Sequence, residues 1–85
     1  MKLKIDQWAL TPHAAQRLLE RDITIEELSL VISNPEEIIE QGPKFILTKT
    51  FPQRKDNKVA AVILEKKGYQ LWLIITVMVN FQSKR

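Results

Sequence analysis

The 85-residue sequence predicts a single α+β domain with two N-terminal helices packed on one face of an antiparallel sheet of about four strands. Three observations carry this expectation. The chain is too short to divide into two independent cores. Apolar residues recur at helical spacing before Pro35, whereas β-branched and aromatic residues with two-residue alternation dominate after it. The later segments are also joined by connections too short to hold crossover helices, so neighbouring strands should pair antiparallel.

The elements follow in order. The first ten residues, with Leu3, Ile5, Trp8 and Leu10, offer an extended segment. Thr11-Pro12 starts a helix: the threonine hydroxyl can cap free N–H groups, and proline at the first helical position sacrifices no hydrogen bond. Ala14, Ala15, Leu18 and Leu19 form the expected buried stripe of this helix. Thr24 with Glu27 three residues on is a capping box that opens a second helix, with Ile25, Leu28, Val31 and Ile32 as its expected buried face. Asn34-Pro35 ends it, because a residue before proline is pushed out of the helical region. Strands are expected at 37–41, 44–51, 59–65 and 70–80. Gln41-Gly42-Pro43 and Lys66-Lys67-Gly68 mark turns, and residues 52–57 form a basic loop.

Both alternating sets of the last two strands are apolar, including Trp72, Ile74 and Met78 on one side and Ala60, Val62 and Leu64 on another. Two short helices cover one sheet face only. The second face then requires cover from the chain's own Trp8 and Leu10, from a second copy, or from a different protein.

Charge and composition narrow the chemistry. The net charge is +3, but residues 1–21 sum to +2, residues 22–41 to −6 and residues 42–85 to +7. The basic part can attract a polyanion such as RNA, although a solvated surface explains it as well. No cysteine is present and only one histidine, which argues against a thiolate nucleophile or zinc site. There is no Gly-rich phosphate loop. The longest apolar run, 71–79, is far short of the ~20 residues a membrane-spanning helix needs. The start carries charges where a secretory signal needs an apolar run, so a soluble cytoplasmic protein without a membrane partner is expected.

His13, Arg17, Glu20 and Arg21 share one helical stripe opposite the apolar one. His13 lies in the first turn of its helix near Arg17. Both the helix dipole and the guanidinium favour the neutral imidazole that can accept a proton. RNA cleavage without a metal needs a base for the ribose 2′-hydroxyl, cations for the phosphate and an acid for the leaving oxygen. His13 can act as base or acid, with Arg17 and Arg21 as cations. Lys49, Arg54 and Lys58 are further candidates for contacts to RNA phosphates. Solvent exposure of an amphipathic helix explains the same stripe without any function.

Pro12-His13-Ala14, Arg17, Glu20-Arg21 and Ile23-Thr24-Ile25-Glu26-Glu27, followed by Pro35-Glu36-Glu37-Ile38, Val62-Ile63, Gly68 and Ile74-Ile75-Thr76-Val77, resemble the domain-of-unknown-function family 4258 over roughly residues 10 to 80. That family is similar in fold to the RelE and BrnT toxins. The resemblance implies the toxin of a type II toxin–antitoxin pair, a metal-independent endoribonuclease needing no cofactor and held inactive by a cognate antitoxin. It also implies functional positions at His13, Arg17, Arg21 and Thr76. Two residues depart from the family pattern: Asp22 stands where glycine is frequent, and Met78 where an aromatic is. The alternative function is a non-catalytic protein- or RNA-binding module, with a homodimer among its forms.

Overall fold

The computed structural model describes residues 5, 7–54, 58–66 and 71–80, with the backbone alone at 65 and 66. The element order is β1 (Trp8–Leu10), α1 (Pro12–Glu20), α2 (Ile25–Ser33), β2 (Glu37–Gln41), β3 (Lys44–Thr50), β4 (Lys58–Lys66) and β5 (Leu71–Met78). The expected Lys66-Lys67-Gly68 turn, Leu3 and the end of the basic loop extend outside the described residues.

Five strands form one mixed sheet in the order β1-β5-β4-β3-β2. This corrects the expectation of about four antiparallel strands. β2 through β5 do pair antiparallel in sequence order. β1 instead runs parallel to β5, with Trp8 opposite Trp72 and Leu10 opposite Ile74. The short-connection argument holds for consecutive strands, but two helices separate β1 from the rest of the sheet and give it room to return in the parallel sense.

Both helices begin where their caps direct. The Thr11 hydroxyl accepts from the Ala14 N–H at 3.2 Å. Its single proton is shared between the carbonyls of Ile74 at 3.0 Å and Ile75 at 3.1 Å. One side chain therefore caps α1 and fastens its start to β5. The Thr24 capping box is complete: Glu27 N–H donates to the Thr24 hydroxyl at 3.0 Å, and Thr24 N–H donates to Glu27 Oε1 at 2.9 Å. Between the helices Asp22 takes a φ of 56°, the left-handed conformation that explains glycine's advantage at this position.

The main core lies between the helices and the sheet. Ala14, Leu18, Leu28, Val31 and Ile32 meet Leu47, Val59, Ala61, Ile63, Trp72, Ile74 and Val77 there. Trp8 and Leu10 pack against this same core. They therefore do not serve as the cover considered for the second sheet face.

Three residues of the expected helix stripes fall outside the core: Leu19 is 85% exposed, Ile25 54%, and Ala15 is only half-buried. A nine-residue helix buries only a narrow stripe, and Ala14 and Leu18 fill it. Ile23, in the link between the helices, is buried instead.

On the opposite sheet face Ile46, Ala60 and Val62 cluster with Ile39, Ile75 and Met78. Trp72 and Ile74 thus part company with Met78. The cause is a register shift between Val62 and Ile63, which pair with Thr76 and Ile74 and leave Ile75 as an extra residue. Such a bulge reverses the alternation beyond it. β5 ends at Met78, two residues before the expected end at 80, and Asn80 turns left-handed with a φ of 54°. No described helix is long and apolar enough to cross a membrane.

Candidate functional site

α1 presents a polar ridge whose positions follow from helical spacing. Arg17 Nε donates to His13 Nε2 at 3.4 Å, and Arg17 Nη1 meets Glu20 Oε1 at 2.6 Å. Gln16 Nε2 braces the other carboxylate oxygen of Glu20 at 2.9 Å. Hydrogen bonds from Gln16 and then Arg17 hold the Glu20 carboxyl below the usual carboxylate range. The guanidinium thus lies between an imidazole and a carboxylate, in a chain of four side chains on one exposed surface.

The arrangement fixes the chemistry of His13. Arginine is always a donor, so in this contact Nε2 accepts, and a neutral ring then carries its proton on Nδ1. A neutral imidazole beside a cation is a proton acceptor adjacent to an anion-binding group. Arg17 and Glu20 remain 37% and 41% exposed, open to a ligand from solvent.

Arg21 follows as the C-terminal cap of α1, its N–H bonded to the Arg17 carbonyl at 2.9 Å. Its side chain is exposed near the same ridge. Thr76 is elsewhere. It is the partner of Val62 at the bulge and shares that residue's face of the sheet, away from the core under α1. Thr11 brings the start of α1 to Ile75, the residue before Thr76, yet no hydrogen bond among the described residues joins the Thr76 side chain to the ridge.

The three cations considered for RNA each have partners within the fold. Lys58 Nζ meets Glu37 Oε1 at 3.0 Å, and Lys49 Nζ donates to the Asn34 carbonyl at the end of α2 at 3.1 Å. Arg54 is the most enclosed, at 13% side-chain exposure. It donates to the carbonyls of Asp22 and Arg21, both at 2.9 Å, and to Glu27 Oε1 at 3.0 Å.

Sequence spacing places Glu20 on the ridge without giving it a role, and Gln16 carries no expectation from its residue type. The signal was present, since Gln16 and Arg17 precede Glu20 by four and three positions, the separations at which helical side chains meet. Among the described residues no group of His, Asp or Glu side chains is arranged to hold a metal ion.

A second surface feature adjoins α1. Leu10, Ala15, Leu18, Leu19, Ile23 and Ile25 line an open apolar groove of about 280 Å³.

No curated protein and no solved structure matches the chain significantly. The model of the family described as Domain of unknown function (DUF4258) matches residues 10–79, most of the chain, so this chain belongs to that family.

Proposed function

We propose that this protein is a metal-independent endoribonuclease, the cytoplasmic toxin of a type II toxin–antitoxin pair, with a fold related to the RelE and BrnT toxins. The observation that carries the reading is the 3.4 Å contact of Arg17 with His13 Nε2 on an exposed ridge. It supplies a proton acceptor beside a phosphate-binding cation. In the reaction His13 takes the proton of a ribose 2′-hydroxyl. The 2′-oxygen then bonds to the adjacent phosphorus, and the P–O5′ bond breaks. The departing 5′-oxygen takes a proton from the imidazolium or from water, leaving a 2′,3′-cyclic phosphate. Arg17 and Arg21 offset the charge that builds on the phosphate. Thr76, at the bulge one residue beyond the anchor of α1, is proposed to contact the RNA rather than to move a proton.

Expression tests the reading directly. The wild-type chain without its antitoxin should slow growth and deplete cellular RNA, and His13→Ala should remove both effects while remaining folded. Undiminished toxicity of His13→Ala would rule out the proposed acid–base role.

A second reading is favoured by the exposure of Leu19 and Ile25 around the apolar groove. There the protein is a non-catalytic module that docks a protein partner or a second copy. On that reading, light scattering finds a dimer or a partner complex that Leu19→Gln weakens, and His13→Ala leaves it intact.

A further inference from the structure

Glu20 is the last residue of α1, where the negative end of the helix dipole disfavours a carboxylate. It nevertheless engages Arg17 at 2.6 Å, with Gln16 bracing its second oxygen at 2.9 Å. Glu20 Oε1 offers the guanidinium the same kind of anionic acceptor as an unbridged oxygen of a phosphodiester, while Oε2 is held by Gln16. Arg17 in turn occupies His13 Nε2, the lone pair a general base must use. The ridge thus closes its own base through these side-chain contacts.

Given the RNase reading of this ridge, we propose that Glu20, braced by Gln16, is a positioning residue that acts as a phosphate-mimicking latch: it keeps Arg17 against His13 in the free protein, and an RNA phosphodiester replaces it and releases Nε2. The pair suits such an exchange. An ion pair this exposed is weak, because water and salt screen it. A phosphodiester that also meets Arg21 can outcompete it. When Arg17 turns to the phosphate, its bond to His13 is lost at the moment the 2′-hydroxyl arrives. The base is thus exposed only where substrate is bound. Glu20 also holds negative charge where the phosphate must enter, so it competes with RNA as well as positioning Arg17.

His13 is the only histidine in the chain, so the imidazole nitrogens give an unambiguous signal. In ¹⁵N-labelled protein, with the ring neutral, the Nδ1–H tautomer should predominate in the wild type. Glu20→Gln should shift the population toward Nε2–H, as should saturation with a 2′-O-methyl oligoribonucleotide that binds but cannot be cleaved. The same oligonucleotide should bind Glu20→Gln about threefold more tightly, the size expected for removing one exposed competing pair. A wild type that is mainly Nε2–H, a tautomer ratio unmoved by Glu20→Gln, or weaker binding by that variant would overturn the latch. These readouts involve no cleavage, so the nuclease reading is judged separately. Wild type that cleaves RNA with an unmoved tautomer refutes the latch alone; wild type with the tautomer shift and tighter Glu20→Gln binding, but no cleavage, refutes the nuclease alone.

Discussion

Arg54 and Leu19 behave oppositely to what their chemistry suggests in isolation. The guanidinium of Arg54 bridges the carbonyls that end α1 to the carboxylate that caps α2. Removing it breaks three charge-assisted hydrogen bonds, one of them partly buried, which costs roughly 1–3 kcal/mol. Arg54→Ala should lower the urea midpoint accordingly, and Arg54→Lys should recover only part of the loss, because an ammonium cannot span the same fork. Equal stability of Arg54→Ala and wild type would refute this structural role. Leu19, apolar but 85% exposed, should tolerate Gln with a change below about 0.5 kcal/mol. Nothing local distinguishes the two in the sequence. Arg54 meets partners 32 and 33 positions away, and only the fold brings them together. The ridge of His13, Arg17 and Glu20 was legible because its partners lie within one helical turn.

At the scale of elements, the caps, the Gly42 turn and the antiparallel pairing of β2 through β5 are readable, whereas the parallel partner of β1 and the bulge are not. Thr11, Pro12 and the Thr24–Glu27 box encode both helix starts in a few adjacent residues. The bulge at Ile75 and the parallel pairing of β1 depend on strands far apart in sequence, so alternation alone could not reveal them. The link between α1 and α2 offers a direct test. Asp22 holds a left-handed φ of 56°, a conformation that costs an ordinary L-residue roughly 1–2 kcal/mol. Asp22→Gly should be neutral or stabilising by up to about 1 kcal/mol, whereas β-branched Asp22→Val should destabilise by at least that much. Thermal unfolding of the two variants would decide, and a stable Asp22→Val would contradict the assigned strain. A second element-scale clasp lies between the entrance to β2 and the end of β3. Hydrogen bonds from the Thr50 hydroxyl, at 2.9 Å, and then its backbone hold the Glu36 carboxyl below the usual carboxylate range. A lowered folded-state value means the clasp is fully formed above the ordinary carboxylate range and is lost as pH falls through the lowered value. Thr50→Val should return the Glu36 carboxyl titration, followed by NMR, toward the ordinary range.

Across the whole molecule, the charge separation and the ridge make different claims. The sequence carries −6 over residues 22–41 and +7 over residues 42–85, but the fold pairs across that divide, Arg54 with Glu27 and Lys58 with Glu37, so the charge layout selects no chemistry. Lys49, Arg54 and Lys58 are each engaged within the fold, as Arg17 is with Glu20, whereas Arg21 is exposed at the end of α1, and on the nuclease reading it takes an RNA phosphate. Arg21→Ala should therefore weaken binding of single-stranded RNA of any sequence and reduce the dependence of log affinity on log salt by about one phosphate contact. The central claim is that His13 moves a proton in RNA cleavage without a metal. Purified wild-type protein incubated with single-stranded RNA in excess chelator tests it most directly. The account predicts fragments ending in 2′,3′-cyclic phosphate, formed ~10²–10⁴-fold more slowly by folded His13→Ala. RNA left intact by the wild type, or cut at the same rate by His13→Ala, would contradict it.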